Sequence, residues 1–277
     1  MSQTFSYRHL KASVDGAVLR LTLDRPEISN ALNEAMVEEL RDLFQTLYWR
    51  HDIRVVLLDA NGRNFCAGLD LTERSGGLAT TAEALVGQRR ISQIVVAMRR
   101  CPQPIVALLN GAASGGGFAI ALAADVRLAA PTARMNAAFI RVGLSACDIG
   151  VSYFLPRMVG ASVAAEYMLT GRFMSAERAA QLGLVSQIVE ADGLLGAGEA
   201  MVNDMLHATP LGLRLTKEAL GFAIDANSLE AVIAIEDRNQ VLSSQSDDFA
   251  EGVAAFRQKR RPTYAQSLSG PAPDGQS

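Results

Sequence analysis

Two short stretches carry residues that could do chemistry through the main chain. The first is Asn110 to Asp125, NGAASGGGFAIALAAD, where Gly115, Gly116 and Gly117 separate an apolar run from a segment of small apolar residues. Glycine removes side-chain bulk, so a ligand can reach the backbone, and the free N–H groups of a helix start point outward. Such a terminus favours negative charge, and donors preset there stabilise charge that develops during a reaction. The second stretch is Phe65 to Leu71, FCAGLDL, in which Gly68 follows an apolar strand. Two such turns side by side would aim two N–H donors at one carbonyl oxygen. That suits an enolate or a tetrahedral oxyanion, both of which put charge on that oxygen. Either turn alone is equally an ordinary strand-to-helix connection.

Side-chain chemistry is sparser. Ser114, in AASGG, lies near but not within a G-x-S-x-G elbow, and no histidine is motif-linked as its base, so small-residue packing is the reading. Cys66 and Cys147 flank the proposed pocket and read as small buried hydrophobes. His9, His51 and His207 are scattered without metal-ligand spacing, and no metal site is expected. Glu73 and Arg74, on a predicted helix after the second turn, read as surface.

Composition narrows the class. The chain has 277 residues, 49% of them hydrophobic, and a formal charge of −3, which argues against a general nucleic-acid binder. Arg257, Lys259, Arg260 and Arg261 cluster near the end, as a solvated helix face or a contact for a phosphorylated ligand. An odd number of widely spaced cysteines (Cys66, Cys101, Cys147) suggests reduced thiols and a cytoplasmic protein. No signal peptide is expected at MSQTFSYRHL, and no run approaches the roughly 20 apolar residues of a membrane span.

The elements that must position these turns follow from periodicity. Leu19, Leu21 and Leu23 alternate with polar residues as in a half-buried strand, and Ile53–Leu58 and Ile105–Leu109 are apolar runs of strand length. Asn33 to Trp49 reads as an amphipathic helix with Met36, Val37, Leu40, Leu43, Phe44 and Leu47 inward, and Glu83 to Arg100 as a second helix. Val126–Ala129 and Leu184–Val189 are further predicted strands, residues 139–160 carry no clear pattern, and Ser175 caps a helix through Gln181. Strand signals vanish after Asp192, and Thr209-Pro210, Ser228 and Ser246 each mark a helix start. The expected organisation is α/β: a strand-and-helix core over 1–191, a helical region over 192–265, and a disordered tail over 266–277.

The full set of motifs resembles the crotonase, or enoyl-CoA hydratase/isomerase, superfamily. It runs through LDRPEISNALN (Leu23 to Asn33), NFCAGLDL (Asn64 to Leu71), CPQPIVALLNGAASGGGFAIALAADVRLA (Cys101 to Ala129), LPRMVG (Leu155 to Gly160), TGRFMSAERAAQLGLVSQIV (Thr170 to Val189) and EGVAAFRQKRRP (Glu251 to Pro262). The resemblance implies a spiral of repeated β-β-α units with a helical C-terminal trimerisation region, forming a homotrimer or a dimer of trimers. It implies an acyl-CoA thioester ligand, with coenzyme A as part of the substrate and no separate cofactor. It assigns the oxyanion donors to the N–H groups of Leu69 and Gly116, with Ala67 and Asp70 beside them. Coenzyme A would meet Pro26, Glu27, Ser29 and Ala31, with Phe249, Phe256 and Lys259 reaching its adenine or phosphates across a subunit boundary. Core packing explains the two phenylalanines equally well.

The acids depart from the family's hydratases. Their two glutamates align with Ala119 and Phe139, which leaves two apolar residues lining the substrate site. Asp148, seven residues before Leu155, has the spacing of the catalytic aspartate of dienoyl-CoA isomerases and of the nucleophile of 4-chlorobenzoyl-CoA dehalogenases. The isomerases' further acids are absent at the same two positions, and the dehalogenases' histidine aligns with Ser92. The expectation is proton transfer on an enoyl thioester with Asp148 as acid/base. The alternatives are hydration by other residues, or a non-catalytic acyl-CoA binder in which Asp148 caps a helix starting near Val151.

Overall fold

The apolar runs pair into a six-stranded sheet in the computed structural model, which describes residues 5–72 and 80–264. β1 (Leu10–Asp15) and β2 (Val18–Leu23) form an antiparallel hairpin with Leu10 opposite Leu23. β3 (Val55–Ala60) and β4 (Ile105–Leu109) continue the sheet in parallel. β1 escapes sequence reading because it is an edge strand in which only Leu10 is buried. β3 starts later than the apolar run suggests and reaches Ala60, since pairing with β2 continues to Leu23.

Helices cover the parallel strands on the side of the main core. α1 (Glu34–Leu47) begins where the Asn33 side chain accepts the Met36 N–H at 2.9 Å, a cap that contributes about 1 kcal/mol. Its inward face is the one read from the sequence. α2 (Thr81–Arg100) starts two residues before the expected point because Thr80 and Glu83 close a capping box.

The glycine-rich stretch is a small structural unit of its own. β5 (Ala112–Ser114) leads into α3 (Gly116–Ala123), whose eight residues are all buried. β6 (Val126–Ala129), bounded as predicted, returns to the large sheet beside β4. β7 (Arg134–Asn136) joins β5 in a second sheet. The unpatterned region resolves into a 3-10 turn over Ala138–Val142, then α4 (Val151–Val159) and α5 (Ala161–Thr170). β8 (Met174–Ser175) completes the second sheet, and Ser175 caps α6 (Ala176–Gln181). Of the predicted strand 184–189 only β9 (Gln187–Ile188) pairs, because Leu184 and Val185 fold into the core.

α7 (Leu194–Leu206) covers the other face of the sheet, packing Leu194 and Val202 with Val55, Leu57, Val106 and Leu108. Thr209, Ser228 and Ser246 then cap α8 (Pro210–Asp225), α9 (Leu229–Ser244) and α10 (Asp247–Arg257), as predicted. These three helices leave Leu220, Leu229, Val241 and Phe256 exposed. The predicted disordered tail lies outside the described residues, as do Glu73, Arg74 and most of SGGLATT. Among the described residues no helix is long and apolar enough to cross a membrane.

Two buried charges hold the segments around α3. Arg127 donates to the carbonyls of Ala121 at 3.3 Å and Ala124 at 2.5 Å at the end of α3, and to Leu184 at 2.7 Å. Burial pulls its pKa down to about 10, so it remains charged at neutral pH and suits the negative end of the helix. Replacing Arg127 by Met strands several buried carbonyls, at about 1–3 kcal/mol each. We expect a loss on the order of 3 kcal/mol in urea unfolding, and a loss below about 1 kcal/mol would contradict this role.

Asp70 is the second. Its carboxylate accepts from the Thr72 hydroxyl at 2.6 Å, from the Thr72 N–H at 3.1 Å and from Arg25 at 3.3 Å. The Thr72 hydroxyl first, then the Thr72 N–H and Arg25, hold its pKa below the usual carboxylate value against the opposing effect of burial. A depressed carboxylate pKa gives stability that is complete above the unfolded value of about 3.9 and fades as pH falls through the folded value. The melting temperature should therefore drop less between about pH 5 and pH 3 in Asp70→Asn than in the wild type.

Candidate active site

The segment 64–70 is a stretch of chain bridged on both edges, Cys66 to Ala113 and Leu69 to Leu32. On one side the Cys66 N–H donates to Ala112 O at 3.1 Å, and Cys66 O accepts from Ser114 N–H at 2.9 Å. On the other, Ala67 N–H donates to Ser29 O at 2.9 Å and Gly68 O accepts from Leu32 N–H at 2.7 Å. Asp70 N–H then donates to Leu32 O at 3.0 Å, so the bonds flanking Leu69 both run to Leu32. In a parallel bridge of this pattern, Leu69 turns its own N–H to the opposite side.

The start of α3 lies beside Gly68. A Cβ added to Gly68, whose φ is +93°, would lie 2.7 Å from Ser114 O and 3.2 Å from Gly116 N. One added to Gly117 would lie 2.3 Å from Cys66 O. The two turns are in backbone contact, closer than any side chain permits. Among the described residues neither the Leu69 N–H nor the Gly116 N–H has a hydrogen-bond acceptor. The sequence expectation of two adjacent glycine turns thus has a geometric counterpart, with two available donors on neighbouring segments.

The surroundings are apolar. Ala119 is fully buried one turn into α3, and Phe139 is 4% exposed with its ring 3.5 Å from where a Gly115 Cβ would lie. Asp148 Oδ1 accepts from Gln88 Nε2 at 2.6 Å and from the Ile149 N–H at 2.8 Å. Ile149 has φ +46°, a conformation a β-branched residue adopts only under constraint. Its side chain is buried, with Cδ1 3.6 Å from the Cβ position of Gly116, which brings Asp148 and the start of α3 into one neighbourhood. The helix-cap alternative does not describe Asp148. Gly150 is the N-cap of α4 with no side-chain cap, and it is the backbone O of Asp148 that accepts the Val151 N–H, at 2.9 Å.

Other expected residues separate into groups. Pro26 and Glu27 are exposed on a 3-10 turn, Ser29 is half-buried, Ala31 is buried and Ala67 is exposed. Phe249 is 50% and Phe256 86% exposed, which overturns core packing as their explanation within this chain. They line a hollow of about 460 Å³ among α8–α10 that shares no residue with Pro26–Ala31 or Leu69. Lys259 follows α10 and is exposed, whereas Arg260 is engaged by both oxygens of Glu251 at 2.6 and 2.7 Å. Cys66 is buried as expected, with its thiol pushed up to about 12 by burial, but Cys147 is exposed. The reason lies in its neighbours: residues 140–145, from the end of the 3-10 turn onward, are exposed, and only Ala146 and Ile149 turn inward.

A hollow of about 970 Å³ between α2, α4 and α8 is lined by Arg99, Tyr153, Arg214 and Lys217 among others. Gln88 is the site residue that sequence reasoning missed. Ser92, the residue aligned with a catalytic histidine, sits one turn later on α2 and donates to Gln88 O at 3.1 Å. An i−4 step along the same helix face from Ser92 was the available signal.

With this geometry in view, likeness to known proteins becomes informative. The family model for enoyl-CoA hydratase/isomerase matches residues 13–267. A Mycobacterium leprae protein named "Probable enoyl-CoA hydratase echA12" is 38% identical over 249 residues, covering 88% of this chain and 85% of its own. The 1,2-epoxyphenylacetyl-CoA isomerase of Escherichia coli K12 is 33% identical over 253 residues, covering 91% and 96%. The crystal structure of an enoyl-CoA hydratase from Bacillus anthracis superposes with a TM-score of 0.89 at 29% identity, covering 94% of this chain and 100% of that one. The fold, the motifs and these matches agree: the chain belongs to the enoyl-CoA hydratase/isomerase family, the crotonase superfamily.

Proposed function

We propose that this protein binds an acyl-CoA thioester, holds its enolate oxygen between the N–H groups of Leu69 and Gly116, and moves protons with Asp148. The observation that carries the reading is the pair of amides on touching turns, each lacking an acceptor among the described residues, beside apolar Ala119 and Phe139. Removing a proton α or γ to a thioester carbonyl drives charge onto the carbonyl oxygen, where two preset donors act most strongly. The C–H bond breaks, the proton passes to the Asp148 carboxylate, and the same proton or another returns to a second carbon of the delocalised enolate. No water is consumed.

Hydration demands more. One group must deprotonate water while another protonates the α-carbon, and the aligned hydratase positions hold no acid. The E. coli relative named as an isomerase supports a reaction without net addition of water. In this reading coenzyme A lies along Pro26–Ala31, and Phe249, Phe256 and Lys259 of a second copy reach its adenine and phosphates. The exposed apolar residues of α8–α10 support a homotrimer or a dimer of trimers.

The deciding experiment incubates the protein with a panel of acyl-CoA thioesters, following mass for hydration and solvent deuterium for proton exchange. We expect deuterium uptake or double-bond migration, with crotonyl-CoA hydration slower than in a two-glutamate hydratase by well over a hundredfold, since each acid/base group contributes about 10²–10⁴. Hydration within about tenfold of such an enzyme would refute the reading, and thioester binding without exchange would favour a non-catalytic binder. Sedimentation at micromolar concentration should give a trimer or hexamer; a monomer would remove the proposed second-copy contribution.

A further inference from the structure

We propose that Gln88 is a positioning residue for Asp148, fixing the plane of the carboxylate that faces the bound acyl chain. The inference rests on the proton-transfer reading of Asp148 and adds to it a residue that the family motifs do not contain. Gln88 and Asp148 are 60 residues apart, yet Nε2 and Oδ1 meet at 2.6 Å, a short charge-assisted contact. A long, half-buried side chain loses rotamer freedom to make such a bond, so the bond must repay that ordering.

Both ends of the contact are fixed from elsewhere. The Thr80–Glu83 capping box sets where α2 begins, with Gln88 two turns inside it. On the other side the Ile149 N–H reaches the same Oδ1 at 2.8 Å, with Ile149 at φ +46° and its side chain anchored beside Gly116. Two donors from independent elements therefore converge on one carboxylate oxygen, which defines the carboxyl plane and leaves Oδ2 as the oxygen not bonded by either of them. Because Ile149 is tied to the start of α3, the carboxylate is referenced to the amide of Gly116 rather than to the mobile end of its own side chain. A misplacement of about 1 Å in such a constellation can cost on the order of a hundredfold in rate.

The test uses the full chain, a β,γ-enoyl-CoA thioester as substrate, and butyryl-CoA as a non-isomerisable binding probe. Gln88→Met keeps the length of the side chain and removes the donor. We expect kcat to fall by about tenfold to a hundredfold, with KM and the butyryl-CoA Kd within about twofold of wild type and an unchanged melting temperature. In an Asp148→Asn background the same substitution should cost almost nothing further, because the two residues act as a unit. If Asp148→Asn abolishes turnover while Gln88→Met leaves kcat within twofold, the positioning role is wrong and the Asp148 reading stands. If Gln88→Met costs the same factor with and without Asp148, the effect is merely structural and the proposal fails. If Asp148→Asn keeps wild-type turnover, the Asp148 reading falls, and the role of Gln88 falls with it.

Discussion

The close approach of two backbone segments, 64–70 and 112–117, is the constraint on which the rest of this structure depends. Where Gly117 passes Cys66 and Gly68 passes Ser114 and Gly116, the gap leaves no room for a Cβ. Main-chain bonds hold the inner segment on both edges, to Ala112 and Ser114 on one side and to Ser29 and Leu32 on the other. Neither edge would suffice alone. A single bridge fixes direction, whereas bridges on both edges also fix which edge of Leu69 is left unpaired.

The supporting structure can be read outward from that contact. α3 is apolar throughout and owes its place to burial, so both of its ends need polar partners from elsewhere. Arg127 supplies them at the C-terminal end, where its positive charge meets the negative end of the helix dipole. At the N-terminal end the Gly116 amide is left available, which is the arrangement that favours an anion. Asn30, fully buried, binds Arg25 N–H, Asn61 O and Asn64 O, locking the Pro26–Ala31 turn to the bend that follows β3. Asp70 and Arg25 close the same lock from the other side.

The side chains on this frame differ from a pair of carboxylates. Ala119 and Phe139 make the wall beside α3 apolar, and Asp148 enters from the loop before α4. Its backbone is strained at Ile149, and strain of this kind persists only where surrounding contacts over-determine the conformation. The buried Ile149 side chain and the Gln88 hydrogen bond are two such contacts. In the proposed reading the backbone donors sit on a bridged segment and a helix start while the acid comes from a loop, so one can change without the other.

Much of this was legible in the residue order, for local reasons. Helix caps at Asn33, Ser175, Thr209, Ser228 and Ser246 are short-range hydrogen bonds, so their types announce them. The glycine turns announce themselves because only glycine tolerates such contacts, and the missing acids at Ala119 and Phe139 follow from alignment of motifs. Edge strand β1, the pairing limits of β9 and the exposure of Cys147 were not legible, since each depends on which neighbour happens to lie alongside. The partner of Asp148 belongs to the same class. Gln88 carries no motif, and its contact exists only because α2 and the loop before α4 converge on α3 in space. Sequence determined which segments could form a site of backbone donors; tertiary packing alone decided which edge of Leu69 stays unpaired and which side chain meets the Asp148 carboxylate, because both depend on neighbours distant in the chain.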